Sequence, residues 1–284
     1  MKSFFLALSL SICFLAACSG PKYVEKSAPA SASFPTKNWV PVSENLYAYR
    51  FEMDNIGFKE FLADQQSDCR PDSTAFLSLR GFYDPFVENY FIHPAFNNYP
   101  VLNISHQCAQ AYCDWLTERF HEMAKRPFKQ VVFRLPTESE WESAAQGGNA
   151  EAVFPWEAQG SSWLSSPLQD KKGRYQANFL NINQIAIVSI DSDSSLKLSP
   201  EVVQLQKAGH DMYTFMAPVK SFKANPIGLY NMAGNVAEMV QKPGISKGGS
   251  WYQTAYHLQI NSSDLYEGPS PMLGFRPFME VLEQ

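Results

Sequence analysis

Three scarcities narrow what this chain can be. Cysteine is scarce: five residues, at positions 13, 18, 69, 108 and 113, with none in the following 171 positions, which excludes a disulfide-dense scaffold and a thiolate metal cluster in the C-terminal half. Clustered positive charge is missing too. The net charge is −5 and no basic patch stands out, so nucleic acid is not an expected partner. No apolar run reaches the roughly 20 residues of an ordinary transmembrane helix. The most apolar stretch, Phe4 to Phe14, is much shorter. No internal repeat of fixed period is present, so a solenoid or propeller is excluded. What remains is apolar enough, at 45% hydrophobic residues, for one sizeable core or at most two small ones.

The short apolar run has a defined context. Lys2 precedes it and Leu15-Ala16-Ala17-Cys18 follows, the order of a positive start, an apolar stretch and small residues before a signal-peptidase cut. A cysteine placed immediately after that cut resembles the lipobox of bacterial lipoproteins, so Cys18 is the expected lipidation site. The rival readings are an ordinary cleaved signal or a buried apolar helix; the lipobox accounts for both the charge order and the cysteine. One acyl chain binds a membrane only marginally, whereas several hold stably. Residues 1–17 are therefore read as signal peptide and 18–40, rich in Ser, Ala, Pro and Lys, as a flexible tether. Residues 41–282 form the globular domain. Removing the signal leaves 22 basic against 28 acidic residues, because only Lys2 is lost. The expected location is the cell envelope, with the membrane contacted through the lipid anchor.

With Cys18 consumed by lipid, three cysteines remain in an oxidising compartment. One disulfide and one free thiol are expected. Cys108 and Cys113 lie about 140° apart around a helix axis and are not expected to pair with each other. That helix is predicted over Gln107–Phe120, with Ser105 as N-cap and Ala111, Trp115 and Leu116 as apolar residues. Thr137-Glu138-Ser139-Glu140 spells a capping box ahead of Trp141 and Ala144-Ala145. Asn55–Ala63 is a third amphipathic candidate. Elsewhere, short segments are punctuated by Gly, Pro and Asn, with 14% aromatics, implying few helices, short strands and long irregular loops. Such loops need an added constraint. Gln184–Gln206 reads as an insertion.

Several blocks carry a resemblance. Phe133-Arg134-Leu135-Pro136-Thr137-Glu138-Ser139-Glu140-Trp141-Glu142, then Gly147-Gly148 and Pro155-Trp156, are similar to the RLPTEAEWE…GG…PW segment of the formylglycine-generating, sulfatase-modifying family. Tyr99–Ser105 with Ala111-Tyr112-Cys113, Ala217-Pro218-Val219, Gly228–Val236, Gly248–Trp251 and Gly274-Phe275-Arg276 follow the same family's order. They span roughly residues 42–280. The resemblance implies an α+β, C-type-lectin-like fold low in regular structure.

Family enzymes oxidise a cysteine of unfolded sulfatases with copper(I) held by two thiolates, ligands suited to a soft ion. In register from Lys247-Gly248-Gly249-Ser250, those positions hold Gln253 and Leu258. No copper is therefore expected and no catalytic residue is assigned. Ala237 replaces the tryptophan that usually follows the GNV step, removing a wall of the substrate pocket. A related iron-dependent branch needs a histidine facial triad, whereas His93, His106, His121, His210 and His257 are scattered. His106 and His121, at the two ends of the helix, read as solvent-facing or capping groups.

The resemblance also implies two structural calcium sites. One comprises Asn178, the Phe179 carbonyl, Asp211 and the Tyr213 carbonyl. The other comprises Asn231, Glu238 and carbonyls at Gly234 and Val236. Mixed carboxylate, amide and carbonyl oxygens suit calcium, although Asn and Asp are also ordinary turn formers. Trp251 is expected to fill the core, Arg276 to satisfy buried carbonyls or a carboxylate, and Gly248-Gly249 to make a bend or close approach. Pro277 stands where the family often has the disulfide partner of Cys113.

The gliding-motility and type IX secretion lipoproteins of Bacteroidetes, which resemble this chain in anchoring and in a KGGSW block, also lack the copper cysteines. The expectation is thus a non-catalytic, calcium-stabilised envelope lipoprotein that binds other envelope proteins. The rival is an oxidoreductase acting on cysteine or thiol substrates. A third reading, a ligand-displaying lectin-like module, finds only a faint trace in residues 253–273.

Overall fold

In a computed structural model the described residues are 36–65, 68–79, 84–157, 168–180, 187–190, 196–198 and 215–284. The proposed signal, Cys18, most of the tether and most of the 184–206 insertion lie outside them. Helices alternate irregularly with short strands. Strands β1 (Trp39–Pro41) and β2 (Leu46–Tyr49) are followed by α1 (Asn55–Gln65), α2 (Asp84–Asn89) and α3 (His106–Glu122). Next come β3 (Gln130–Arg134), α4 (Glu138–Gln146) and the hairpin of β4 (Ile187–Ile190) with β5 (Leu196–Leu198). The chain closes with β6 (Ala237–Met239), β7 (Ile245–Lys247), β8 (Ser263–Leu265), β9 (Leu273–Phe275) and β10 (Phe278–Glu283).

Two four-stranded sheets organise the molecule. In the order β1-β2-β10-β3 every pairing is antiparallel, so the last strand lies between strands from the first half of the chain. In the order β8-β7-β6-β9 the β6–β9 pair is parallel. Both faces of the first sheet are covered. Met279 and Val281 pack with Trp39 and Phe133 against Phe58 and Phe61 of α1 and Tyr112, Cys113 and Phe120 of α3. Phe278 turns the other way, onto Val40, Ala48 and the Trp141, Ala144 and Ala145 face of α4. This is the alternation of a strand buried on both sides.

Local signals set the helix ends. Ser105 accepts from the Cys108 amide at the head of α3, and Arg119 and His121 occupy its last turn, where positive charge suits the helix dipole. At α4 both halves of the capping box form, and Gly147 closes the helix at φ +58°; a Cβ there would meet the Pro226 ring at 2.9 Å. The buried face of α3 differs from the expected one. Ala109, Tyr112, Cys113 and Phe120 are buried, whereas Ala111, Trp115 and Leu116 are only half-buried. The cause is polar: the Trp115 indole N–H donates to Asp64 at 2.7 Å, which holds the ring at the rim. The short helix α2, which no capping or periodic signal announced, packs Phe86 tilted or edge-to-face against Phe76, Tyr90, Phe96 and Phe215.

Cys69 and Cys108 form a disulfide with a Cα separation of 5.3 Å, and Cys113 is a buried free thiol. Burial in an apolar setting pushes that thiol well above the ordinary thiol range, which keeps it protonated and unreactive. Among the described residues no helix is long and apolar enough to cross a membrane.

Candidate functional site

The loop from Leu229 to Val236 is anchored by a carboxylate that the sequence did not single out. Glu52, in the stretch between β2 and α1, is fully buried. It accepts from Asn231 Nδ2 at 2.9 Å, from Asn235 Nδ2 at 2.8 and 3.1 Å, and from the Val236 amide at 3.2 Å. Burial, reinforced by the neighbouring charge of Glu238, raises its pKa to about 8 despite those donors. Asn235 also fixes the chain around it: its Oδ1 accepts from the Ala217 amide at 2.6 Å, and its own amide donates to the Asn178 carbonyl at 2.7 Å. Gly234, at φ +70°, passes so close to that carbonyl that a Cβ would collide with it.

Beside Glu52 lies a second buried carboxylate. Glu238, on β6, pairs with Arg276 at 2.6 Å and accepts from the Trp141 indole at 2.7 Å. Arg276 spends its other donors on the Tyr49 and Tyr230 carbonyls, at 2.9 and 2.7 Å. It therefore satisfies a carboxylate and two carbonyls together. Lys247, on β7, is equally buried and reaches Glu142 at 2.6 Å and Ser263 Oγ at 3.2 Å, with the Trp141 ring 5.9 Å from its ammonium.

These contacts bear on the two calcium quartets. Of the first, Asn178 and Phe179 are described, while Asp211 and Tyr213 fall outside the described residues. Asn178 Nδ2 donates to the Phe215 carbonyl at 2.7 Å, but its Oδ1 is buried with no hydrogen-bond partner. An orphaned buried carbonyl oxygen is a costly feature that a cation or water would satisfy, so this half-site fits calcium. Of the second quartet, Asn231, Gly234, Val236 and Glu238 lie on one continuous segment. Both oxygens of Glu238 already serve Arg276 and Trp141, and the Asn231 amide serves Glu52 and the Val219 carbonyl at 3.3 Å. That quartet is the poorer fit, because a guanidinium already supplies the positive charge. Among the described residues no three His, Cys, Asp or Glu side chains converge as metal ligands.

Gln253 and Leu258, expected from the resemblance to stand at the family's thiolate positions, lie on the segment after the double glycine. Gly248 and Gly249 take φ +88° and +67°, and a Cβ on Gly249 would meet the His257 carbonyl at 2.8 Å. This close approach fixes the following turn. Leu258 is fully buried and packs with Phe154, Ala177, Phe179 and Ala233. Gln253 is half-buried; its carbonyl accepts from the Leu180 amide at 2.9 Å and its side-chain amide donates to Asp264 at 3.0 Å. The same aspartate receives His257 Nδ1 at 2.7 Å. Leu258 is thus core and Gln253 part of a polar rim that sequence reasoning missed, since its three members are brought together by the β7–β8 connection. Trp251 is buried, its indole N–H donating to the Pro271 carbonyl at 3.2 Å, as a core role requires. His106, read as a solvent-facing or capping group, is half-buried, and its Nε2 meets the Val240 carbonyl at 2.9 Å, tying the head of α3 to the residue after β6.

The sulfatase-modifying factor enzyme 1-like domain matches residues 50–280. The formylglycine-generating enzyme of Thermomonospora curvata is 31% identical over 177 residues, covering 62% of this chain and 42% of that protein. The inactive C-alpha-formylglycine-generating enzyme 2 of Bos taurus is 26% identical over 225 residues, covering 73% of this chain and 60% of that protein. The chain therefore spans 42% and 60% of the lengths of these two relatives. Among solved structures, CarF superposes with a TM-score of 0.50 at 19% identity, covering 83% of this chain and 86% of that one. That likeness concerns the fold.

Proposed function

We propose, from the premise that this chain belongs to the sulfatase-modifying factor enzyme 1-like family, that it is a non-catalytic, lipid-anchored envelope protein whose domain binds other proteins. The observation that carries the reading is the fate of the two thiolate positions. Leu258 offers no lone pair and is sealed in an apolar cluster, and the Gln253 amide is engaged with Asp264. Neither side chain is a ligand for copper(I). The free thiol of Cys113 is no substitute in place, being buried between α3 and the first sheet. Family members include proteins described as inactive, which is compatible with loss of the reaction on a retained fold.

Anchoring rests on Cys18 and its preceding Leu15-Ala16-Ala17. The protein then sits in the cell envelope, and its role resembles assembly in gliding or type IX secretion more than turnover. Calcium is proposed as a structural ion at Asn178 and Phe179, with Asp211 and Tyr213, where it would neutralise an orphaned oxygen and tie loops together. The alternative, an oxidoreductase acting on thiols, would need Cys69, Cys108 or Cys113 to be redox-active. The decisive experiment is crosslinking and recovery of the protein from native envelopes beside a Cys18→Ser variant. The reading expects defined partner proteins, and a variant that is released from membranes or left unprocessed. Absence of any partner, or unchanged membrane retention and processing of the variant, overturns it.

A further inference from the structure

The polar rim at residues 253–264 has unspent chemistry. Asp264 takes the Nδ1 proton of His257 at 2.7 Å and the Gln253 amide at 3.0 Å. With that proton committed, the 3.4 Å approach of the Gln253 nitrogen to the same ring nitrogen is a contact without a lone pair to receive it. Two acceptors are left over: Gln253 Oε1 and, in the neutral ring, His257 Nε2. Among the described residues no hydrogen bond engages either. The carboxylate adds a negative charge to the same spot, and both side chains of the dyad are partly open to solvent, His257 at 29% and Asp264 at 21%.

One exposed aromatic ring flanks these acceptors, and a second lies next to them in sequence. Tyr256 is 66% exposed with its ring 5.5 Å from that of His257, and Tyr252, next to Gln253, is 45% exposed. An exposed tyrosine beside solvent-open acceptors and a carboxylate, with Lys247 directed inward to Glu142, favours one kind of guest. It brings donors, positive charge and a flat face. A guanidinium has all three; an ammonium lacks the flat face.

We infer that Gln253, His257 and Asp264, flanked by Tyr256, form a recognition site for an arginine side chain of a partner protein. This rests on the reading of the domain as a protein-binding one and assigns that binding a place and a chemistry. The guanidinium stacks on an exposed tyrosine and donates to Gln253 Oε1 and His257 Nε2, while Asp264 orients both acceptors and supplies the charge.

The test titrates the full mature protein with Gly-Arg-Gly and with the same tripeptide carrying citrulline, which keeps the shape and loses the charge. Ring-proton chemical shifts of Tyr256 and His257 are followed by NMR. The arginine peptide should bind about tenfold more tightly, the equivalent of one charged hydrogen bond or a good cation–π contact, and lose affinity as salt rises. Asp264→Asn and Tyr256→Ala should each weaken it; because Tyr256 is exposed, its variant tests the site without disturbing the turn. Equal binding of the citrulline peptide overturns the inference, as does perturbation of the same rings by chitotriose and not by arginine. So does arginine binding unchanged in both variants. Envelope partners that crosslink equally to the wild type and to both variants would refute this site and leave the binding function standing, whereas a wild type without partners would refute the function itself.

Discussion

Two neighbouring regions of this molecule have opposite characters. Around Glu52, Asn231, Asn235, Glu238 and Arg276, the carboxylates, the guanidinium and the asparagine Nδ2 groups are buried and closely partnered, and the loop they tie down is part of the family pattern. A short distance along the chain, the Gln253–Leu258 turn keeps the glycine bend and carries the two side chains that our proposal places at the family's thiolate positions. The first region is scaffold: charged groups held out of water tolerate change poorly, because removing one partner strands the other. The second is a surface turn supported from behind by Gly249 and Leu258, free to change its side chains without disturbing the sheets. On the proposed reading, a fold outlives its chemistry when its structural polar groups and its reactive ones occupy different elements.

The contrast can be broken at several points. Arg276→Met should have the largest effect, about 3–5 kcal/mol of lost stability by chemical denaturation, because Glu238 would be left buried and unpaired. A loss below about 1 kcal/mol would mean that Glu238 reaches water or a cation, and that the second calcium quartet deserves preference over the ion pair. The Glu52 carboxyl comes next. Its folded pKa of about 8 lies above the ordinary 4.5, so the native state holds the proton longer than the unfolded chain does. Stability from this group is fully present below pH 4.5 and is lost as pH rises toward 8. That loss is on the order of a few kcal/mol. Glu52→Gln should flatten this part of the stability–pH curve; an unchanged curve would place the titration elsewhere.

At the replaced turn the effects should be smaller. Leu258→Cys, which restores one family residue, should cost about 1–3 kcal/mol because the site is now packed core; no cost would indicate an open position. Gln253→Ala should change the melting midpoint least, by the equivalent of about 0.5–1 kcal/mol for one half-buried hydrogen bond. A larger loss would make the rim structural rather than displayed.

What could be read from the sequence follows the range of the interactions. Ser105, the Thr137 box and Gly248-Gly249 act within a few residues, and each did what its local chemistry required. The one-disulfide, one-thiol expectation held as well, although its pairing needed coordinates because Cys69 meets Cys108 only through the packing of α3. Arg276 was legible as a buried donor, yet its partner was assigned to a metal set. The rotation of α3 escaped because Trp115 counts as apolar by type while its indole N–H was drawn to Asp64. Glu52 was invisible for a plainer reason: its partners, Asn231 and Asn235, lie 179 and 183 residues away, and a single acid before a helix carries no signature of burial. The same long range hid the Gln253–Asp264 contact, which depends on the register of β7 against β8.

The central claim is that the family's fold persists here without the family's reaction. The most direct measurement incubates the purified mature domain, loaded with copper(I), with a sulfatase-type cysteine peptide and reads aldehyde formation by mass spectrometry. With Gln253 and Leu258 at the thiolate positions, no aldehyde should appear above a control containing metal alone. Aldehyde above that control, abolished by Cys113→Ser, would show that the active site has moved rather than vanished.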